Sequence, residues 1–361
     1  QVTADRPSYL TKLRTLIAAG TVPEFLDTDA DPYCEELAKG GYLANMEDFL
    51  KEQKLYDKFY TPALKYQELP DGSLYVLPLE YQLEMTWYNK DMFKKNNLSV
   101  PKTMEEWLNV CKTFKSKGTT PIAVDGTDVW PVLRYAAAYP FRTTGNTFIR
   151  SLSQGKEKMA SATGMQAANF VAQMGQYFQK GFATTDYTTA KNMFLNGEVP
   201  MYWMGTWETP SFTDDKLPAN LKGKVGYFYL PTTNGAKTGS NEFFGNSGIG
   251  FACSKASFNG TTKEFVEYLI NNYSDVYVAK LQMSPIKFTI KDKSKFSDLY
   301  LSIKNDADNY GEEFAKPWDT LLDADTNTVM GDQVIKLAMG SVTPQQFAKT
   351  IDDTIATNAS K

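Results

Sequence analysis

The sequence contains no histidine. Histidine is the commonest general base, the usual base of a catalytic triad and a very frequent metal ligand, so its absence removes many classes of enzyme and metal site. The sequence also lacks any run of about 18 apolar residues, the length needed to span a bilayer. These absences alone only narrow the range of functions, and the expectation for this chain is no catalytic residue, no bound metal and no cofactor.

Cysteine is scarce as well. Cys34, Cys111 and Cys253 lie too far apart for a CxxC zinc or redox motif, and three cysteines do not indicate a disulfide framework. We expect all three to be small, buried apolar residues.

Positive charge is not concentrated anywhere in the chain. The net charge is -4 and no block of Lys and Arg occurs, which argues against a nucleic-acid partner. A length of 361 residues exceeds the size at which a single core usually stops growing, so we expect two domains. Aromatic residues reach 14%, more than such cores obviously need, and some of them should line a binding site.

Helix and strand signals alternate along the chain, as in α/β proteins. Thr103 with Glu106 forms a capping box before an apolar helical face, and residues 120–124 read as the strand that follows. Thr343 with Gln346 repeats the capping signal near the C-terminus. The pattern predicts an α/β fold.

The N-terminal part shows the same alternation. Residues 9–19 predict a helix and residues 23–26 a strand, followed by an acidic loop that contains Asp29 and Asp31. Because ligands bind beyond the carboxyl ends of strands in open α/β sheets, one of these two carboxylates is a candidate ligand contact. The alternative is that it caps the next helix. Asp71-Gly72 further predicts a tight hairpin turn between residues 66–69 and 74–77.

Four segments, in order, resemble the family 1 extracellular solute-binding proteins, the maltose-binding-protein-like receptors of ABC importers. The segments are AAGTVPEF at 18–25, GSLYVLP at 72–78 with WYNKDMF at 87–93, PKTMEEW at 101–107, and FLNGEVPM at 194–201 with GTW at 205–207. Glu24 replaces the family's usual Asp in the first segment. The family normally has a strand and a helix before this point, and we expect the sequence to lack them.

The resemblance implies a two-lobed, periplasmic-binding-protein-like α/β fold of type II, with several crossovers and a ligand cleft between the lobes. Its motif order implies an N-lobe from residues 1–84 and 244–288. A C-lobe would comprise residues 85–243, with residues 289–361 forming its helices and a hinge-packing segment.

The matching motifs also imply site residues. Trp207 follows a strand-like stretch and corresponds to a tryptophan that commonly stacks on sugar, and Trp130 lies where relatives often place an aromatic residue in the cleft. Their alternative role is core packing. Glu208 is a candidate acceptor for sugar hydroxyls, or else a solvated surface charge.

The predicted crossovers supply further candidates. Tyr81 and Gln82 stand at the first crossover, and Phe244 and Asn246, together with Phe243, at the second. Trp318 is a further candidate, and its alternative role is core packing, because its lobe also needs large core residues. Trp87 and Trp107 follow the apolar pattern of their own elements, which predicts packing.

The resulting hypothesis is a receptor, not an enzyme, that captures a carbohydrate, expected to be an oligosaccharide, and delivers it to the permease subunits of an ABC transporter. We expect a monomer that works outside the cytoplasm, either as a cell-surface lipoprotein of a Gram-positive bacterium or in a periplasm, with its N-terminal anchor removed or absent. Two alternatives stay open. One is a receptor for a polyamine, peptide or metal, and the other is a glycoside hydrolase, which needs only two carboxylates.

Overall fold

The computed structural model describes residues 6–213, 217–219, 221–248, 250–311 and 314–358. The α-helices of these residues are α1 Arg6–Ala18, α2 Pro32–Lys39, α3 Met46–Glu52, α4 Thr61–Tyr66, α5 Lys90–Lys95, α6 Met104–Ser116, α7 Trp130–Thr144, α8 Thr147–Ser153, α9 Ala162–Gly175, α10 Tyr187–Leu195, α11 Thr209–Thr213, α12 Gly260–Ala279, α13 Asp298–Asp308, α14 Ala324–Ala338 and α15 Pro344–Asn358. The strands are β1 Phe25–Thr28, β2 Val76–Leu77, β3 Gln82–Asn89, β4 Ile122–Ala123, β5 Met201–Gly205, β6 Val225–Phe228, β7 Gly245–Asn246 and β8 Gly250–Cys253. Helices and strands alternate, as the sequence predicts.

The chain divides into two compact units, each built from separate stretches of sequence. The first unit comprises Gln1–Tyr81, Ser247–Tyr277 and Ser284–Phe288. The second comprises Gln82–Asn246, Val278–Met283 and Thr289–Lys361.

The first unit contains an antiparallel sheet in the order β1-β8-β2. Ala252 in the central strand lies opposite Leu26 on one side and Val76 on the other. These residues are fully buried, and Cys34 and Leu37 of α2 belong to the same apolar cluster. The sheet therefore fixes the end of β1 and the acidic loop that follows it.

The second unit contains a mixed sheet in the order β4-β5-β3-β6, with β7 paired to β3. The β4–β5 pair is parallel and the other pairs are antiparallel. All five residues of β5 are buried, so this strand lies inside the core and its end at Gly205 is rigidly placed. The residues that follow Gly205 are positioned by that strand.

The capping signals predicted two helix starts correctly. Thr103 Oγ1 accepts a hydrogen bond from Glu106 N at 3.1 Å. At α15 the capping box is reciprocal, because Gln346 N donates to Thr343 Oγ1 at 3.2 Å and Thr343 N donates to Gln346 Oε1 at 2.9 Å.

The predicted hairpin is only partly correct. The turn forms, with Gly72 at φ 85° and a bridge between Glu68 and Leu74. Tyr66, however, ends α4, and Val76 pairs with β8. The apolar pair Val76–Leu77 gains more buried area beside the central strand than beside a polar partner, so tertiary packing overrides the local hairpin signal.

All three cysteines are buried and free, as predicted. Burial raises the pKa of the Cys34 thiol to about 12 and that of the Cys253 thiol to about 12. It also raises the pKa of Cys111. These thiols are therefore packing residues and not reactive groups.

Candidate functional site

Two half-buried tryptophans meet in the second unit. Trp207 lies in a 3₁₀ turn, Thr206–Glu208, directly after β5, and Trp130 is the first residue of α7. Their ring centroids are 5.8 Å apart and their planes are inclined at 71°. We call this pair the aromatic corner. The two rings offer apolar surface in two nearly perpendicular planes.

Gly205 makes the position of Trp207 possible. The indole folds back over the Gly205 Cα, where an added Cβ would lie 2.1 Å from Trp207 Cζ3. Only glycine leaves room for this approach, which explains in physical terms why Gly205-Thr206-Trp207 follows a buried strand.

A strained turn precedes Trp130. Val129 has φ 66°, and Trp130 N donates to Asp128 O at 2.7 Å, which closes a γ-turn of the rare kind. A β-branched residue in this region costs about 1 to 3 kcal/mol, and such strain clusters at ligand-binding positions. Backbone strain at Val129 therefore accompanies the placement of Trp130 at the start of α7.

Arg134 supports the corner from α7. Its Cζ lies 4.9 Å from the centroid of the Trp130 ring, a cation–π distance. The guanidinium also donates to both oxygens of the buried Glu84, at 2.7 and 2.9 Å, and to Asp319 Oδ1 at 3.0 Å. Burial raises the pKa of Glu84 and the nearby Arg134 opposes this shift. The Trp130 ring therefore makes a cation–π contact with a guanidinium that two carboxylates hold in place.

A second polar network holds the Trp207 turn. Glu208 is fully buried; its Oε1 accepts from the hydroxyls of Tyr187 and, at 3.2 Å, Tyr202, while its Oε2 lies 2.7 Å from Lys191 Nζ. Burial, then the charge of Glu208, raises the pKa of Tyr187, whereas a hydrogen bond with the Trp207 side chain lowers it. The sequence-based expectation of an open sugar acceptor or a solvated charge needs correction, because both carboxylate oxygens are already engaged.

Amide side chains brace the same turn. Thr206 Oγ1 donates to Gln82 Oε1, and Gln82 Nε2 donates to Gln282 Oε1 at 3.1 Å. Gln282 Nε2 reaches the Trp207 carbonyl oxygen at 3.4 Å. Gln82 is only 1% exposed. Its position therefore fits a support for the Trp207 turn better than a direct ligand contact, and Gln282 was not singled out from the sequence.

The other candidates in the second unit differ in exposure. Phe244 is fully buried 5.6 Å from Trp203, and Trp318 is 2% exposed 5.9 Å from Phe148, both measured between ring centroids. Both expectations of ligand contact are corrected, because these rings lie inside the apolar core. Asn246 is half-buried and lies opposite Gln82 in the β3–β7 pair. Phe243 is buried and stacks on Tyr229 with ring centroids 3.6 Å apart.

In the first unit, Asp31 is the N-cap of α2, accepting from Cys34 N at 2.8 Å. This is the capping role weighed against ligand contact. Asp29 is half-buried in the same loop. Tyr81 is fully buried and stacks on Tyr60 with ring centroids 4.5 Å apart, which corrects its expected exposure to a ligand.

Gln67 is a residue of this unit that the sequence did not single out. It is fully buried, accepts from Ala30 N at 3.3 Å and donates to Gly248 O at 3.2 Å. These contacts tie the loop after β1 to Gly248, which lies far away in sequence. No local pattern signals such a contact.

Asp125 follows β4 and starts the loop that leads to Trp130. It is fully buried, its Oδ1 accepts from Asp128 N at 3.1 Å, and its Oδ2 has no hydrogen-bond partner among the described residues. Burial raises the pKa of Asp125 to about 6. This carboxyl therefore gains or loses its proton within a physiologically accessible pH range.

Neither a metal cluster nor a membrane-spanning helix is found in the ranges that the structure describes. No group of three or more Cys, Asp or Glu side chains there is placed to hold a metal ion. No described helix is long and apolar enough to cross a bilayer.

Two α/β units, each with its own sheet, are the arrangement expected of a two-lobed binding protein. The chain belongs to the bacterial extracellular solute-binding proteins, whose family pattern matches residues 2–273. This match confirms the resemblance found in the sequence. The family is one of substrate-binding proteins.

Named relatives and solved structures agree with this assignment. A multiple sugar-binding protein of Streptococcus mutans is 26% identical over 275 residues, which cover 73% of this chain and 62% of that protein. The chain spans less than two thirds of the length of the curated relatives it matches first.

Solved structures match almost the whole chain. One, from work on xylan utilization by the thermophilic bacterium Caldanaerobius polysaccharolyticus, has a TM-score of 0.81 and 26% identity, covering 98% of this chain and 90% of that one. A chitin oligosaccharide binding protein has a TM-score of 0.79 and 23% identity, covering 97% and 87%. The predicted solute-binding fold is confirmed.

Proposed function

We propose that this chain binds a carbohydrate at the aromatic corner and delivers it to an ABC transporter. The observation that carries the proposal is the pair of half-buried rings, Trp130 and Trp207, held in nearly perpendicular planes above two polar networks. Sugars expose apolar C–H faces that stack on aromatic planes, while their hydroxyls need fixed acceptors and donors nearby. The second unit supplies the aromatic planes, and its half-buried Asn246 is a polar side chain that supports the second requirement.

The names of relatives support an oligosaccharide as the ligand. One is a multiple sugar-binding protein, and similar structures come from a chitin oligosaccharide binding protein and from work on xylan utilization. Asp29 of the first unit and Asn246 of the second, both half-buried, also remain proposed ligand contacts. We further propose that the protein acts as a monomer and that permease subunits are its protein partners.

The place of action follows from the family. Extracellular solute-binding proteins work outside the cytoplasm, and we propose either a lipid-anchored protein on the surface of a Gram-positive cell or a periplasmic one. No observation favours a polyamine, peptide or metal ligand. A glycoside hydrolase would release new reducing ends from an oligosaccharide, and we expect none after prolonged incubation.

The test is a thermal-shift screen with xylobiose, chitobiose, raffinose and galactose, followed by calorimetry on the hits. Bound ligand stabilises the folded state by mass action and so raises the melting temperature. At a free ligand concentration of about a hundred times Kd, the added stability is about 2.7 kcal/mol. A shift with at least one sugar, and saturable heat on titration, supports the proposal. The proposal fails if none of the four binds while a polyamine or peptide does.

A further inference from the structure

Trp318 and Asp319 are neighbours in a 3₁₀ turn, but they face different surroundings. Trp318 is 2% exposed, whereas the Asp319 side chain keeps 31% of its surface accessible. The tryptophan anchors the turn in the core, and the carboxylate stands at its rim.

Arg134 connects this carboxylate to the aromatic corner. One guanidinium nitrogen, Nη1, donates to Asp319 Oδ1 at 3.0 Å while the same group lies over the Trp130 ring. The other two nitrogens, Nε and Nη2, are occupied by the two oxygens of Glu84. The same guanidinium therefore contacts both the Asp319 carboxylate and the Trp130 ring.

Arg134 is the one cation of this triad, and two carboxyl groups bind it. Glu84, which is buried, takes two guanidinium nitrogens through two hydrogen bonds, and Asp319 takes the third. Burial raises the pKa of Glu84, whereas Asp319 keeps part of its side chain accessible. Its Oδ1 is used, and its Oδ2 has no partner among the residues that the structure describes. The Asp319 side chain, 31% accessible, thus offers a second carboxylate oxygen beside Arg134.

The turn that carries Asp319 is fixed on both sides. Asn327 Nδ2 donates to the Asp319 carbonyl oxygen at 3.1 Å, and Thr320 Oγ1 donates to Pro317 O at 2.9 Å. Leu321 N donates to Trp318 O at 3.1 Å. A carboxylate held by Arg134 on such a turn needs little further ordering when it binds a ligand, which favours affinity.

We propose that Asp319 is a ligand-contact residue whose free oxygen accepts hydrogen bonds from hydroxyls of a sugar ring stacked at the aromatic corner. This inference rests on the proposed function and deepens it. A carboxylate accepts hydroxyl hydrogens but repels anions, so Asp319 selects neutral sugars over uronic acids and sugar phosphates.

The experiment compares Asp319→Asn with the parent protein by calorimetry. The probe is the tightest-binding of xylobiose, chitobiose, raffinose and galactose, together with its monodeoxy derivatives. Asparagine keeps an oxygen that can accept from Arg134 but carries no charge. A hydrogen bond from a sugar hydroxyl to a charged carboxylate is stronger than one to a neutral amide, so we expect the affinity for the sugar to fall at least about tenfold. Asp332→Asn is the matched control, because among the described residues Asp332 contacts Gln333 and Lys336 on the exposed surface of α14.

The deoxy series separates direct contact from an effect transmitted through Arg134. If Asp319 contacts the sugar directly, removing the contacted hydroxyl weakens binding to the parent protein. The same deoxy sugar should bind Asp319→Asn almost as tightly as the full sugar does, which is the non-additivity that a double-mutant cycle detects. If every deoxy sugar loses the same factor in both proteins, Asp319 does not touch the sugar and the inference is overturned while the proposed function stands. If none of the four sugars binds the parent protein while a polyamine or peptide does, both fail.

Selectivity provides the second readout. Asp319→Asn should narrow the preference for the neutral sugar over its uronic acid counterpart. An unchanged preference overturns the proposed selectivity.

Discussion

The six tryptophans of this chain all lie in the second unit, and they fall into two groups. Four are buried, with exposures of 0%, 0%, 6% and 2% for Trp87, Trp107, Trp203 and Trp318. Trp130 and Trp207 are half-buried.

The surroundings of the two groups differ more than their exposure. Trp107 packs among rings, with centroid distances of 5.3 Å to Trp203 and 5.8 Å to Tyr135, and its Nε1 has no hydrogen-bond partner among the described residues. Trp130 and Trp207 instead lie beside charged groups, Arg134 and the Glu208 network. Buried rings stabilise the fold, whereas the half-buried ones are oriented by polar partners and keep part of their surface accessible.

The largest effect should come from truncating a buried ring. Trp107→Ala should cost about 3 to 5 kcal/mol of unfolding free energy, because it removes the ring and leaves a cavity among aromatic partners. Chemical denaturation measures this loss. Trp107→Phe is the control and should lose much less, since it keeps a ring and deletes an indole N–H that lacks a partner. Equal losses for the two variants would contradict the packing account.

Truncating a half-buried ring should weaken ligand binding more than it weakens the fold. Trp207→Ala should weaken sugar binding at least about tenfold, about 1.4 kcal/mol, and lower the unfolding free energy less than Trp107→Ala does. Calorimetry and denaturation on the same sample separate the two effects. Trp207→Phe, which keeps an aromatic plane, should retain part of the affinity. A Trp207→Ala variant that binds as tightly as the parent protein would remove Trp207 from the site.

Local pattern predicted one group of tryptophans well. Trp87 and Trp107 follow the apolar periodicity of their own elements and are fully buried, as predicted. Trp130 and Trp207 were singled out from motifs, and the structure brings their rings together. Periodicity within an element determines which face is buried, so it identifies core residues reliably.

The candidate ligand contacts that prove to be buried share a cause. Trp318, Phe244 and Glu208 stand in irregular segments or at element ends, where burial depends on partners far away in sequence. The contacts of Asp319 with Arg134 and of Gln67 with Gly248 span 185 and 181 residues. Only the spacing of Trp130 and Arg134, four apart on α7, offered a local signal, because such residues share a helix face.

The smallest expected effect is a pH dependence confined to the loop before Trp130. Burial raises the pKa of Asp125 to about 6, so the folded state binds this proton more tightly than the unfolded chain does. The stability from this group is fully present below its ordinary pKa and is lost as pH rises through the folded value. The described ring neighbours of Trp107 are Tyr135, Phe170, Trp203 and Phe228, of which only Tyr135 carries a titratable group.

Asp125→Asn isolates this dependence. Asparagine can still accept from Asp128 N but carries no charge, so the variant should gain stability relative to the parent protein between about pH 4 and about pH 7.5. Denaturation midpoints of both proteins across that range measure the gain. A difference that stays constant with pH would mean that Asp125 does not titrate there. The loop that holds Trp130 would then be insensitive to pH, as the packing around Trp107 is expected to be.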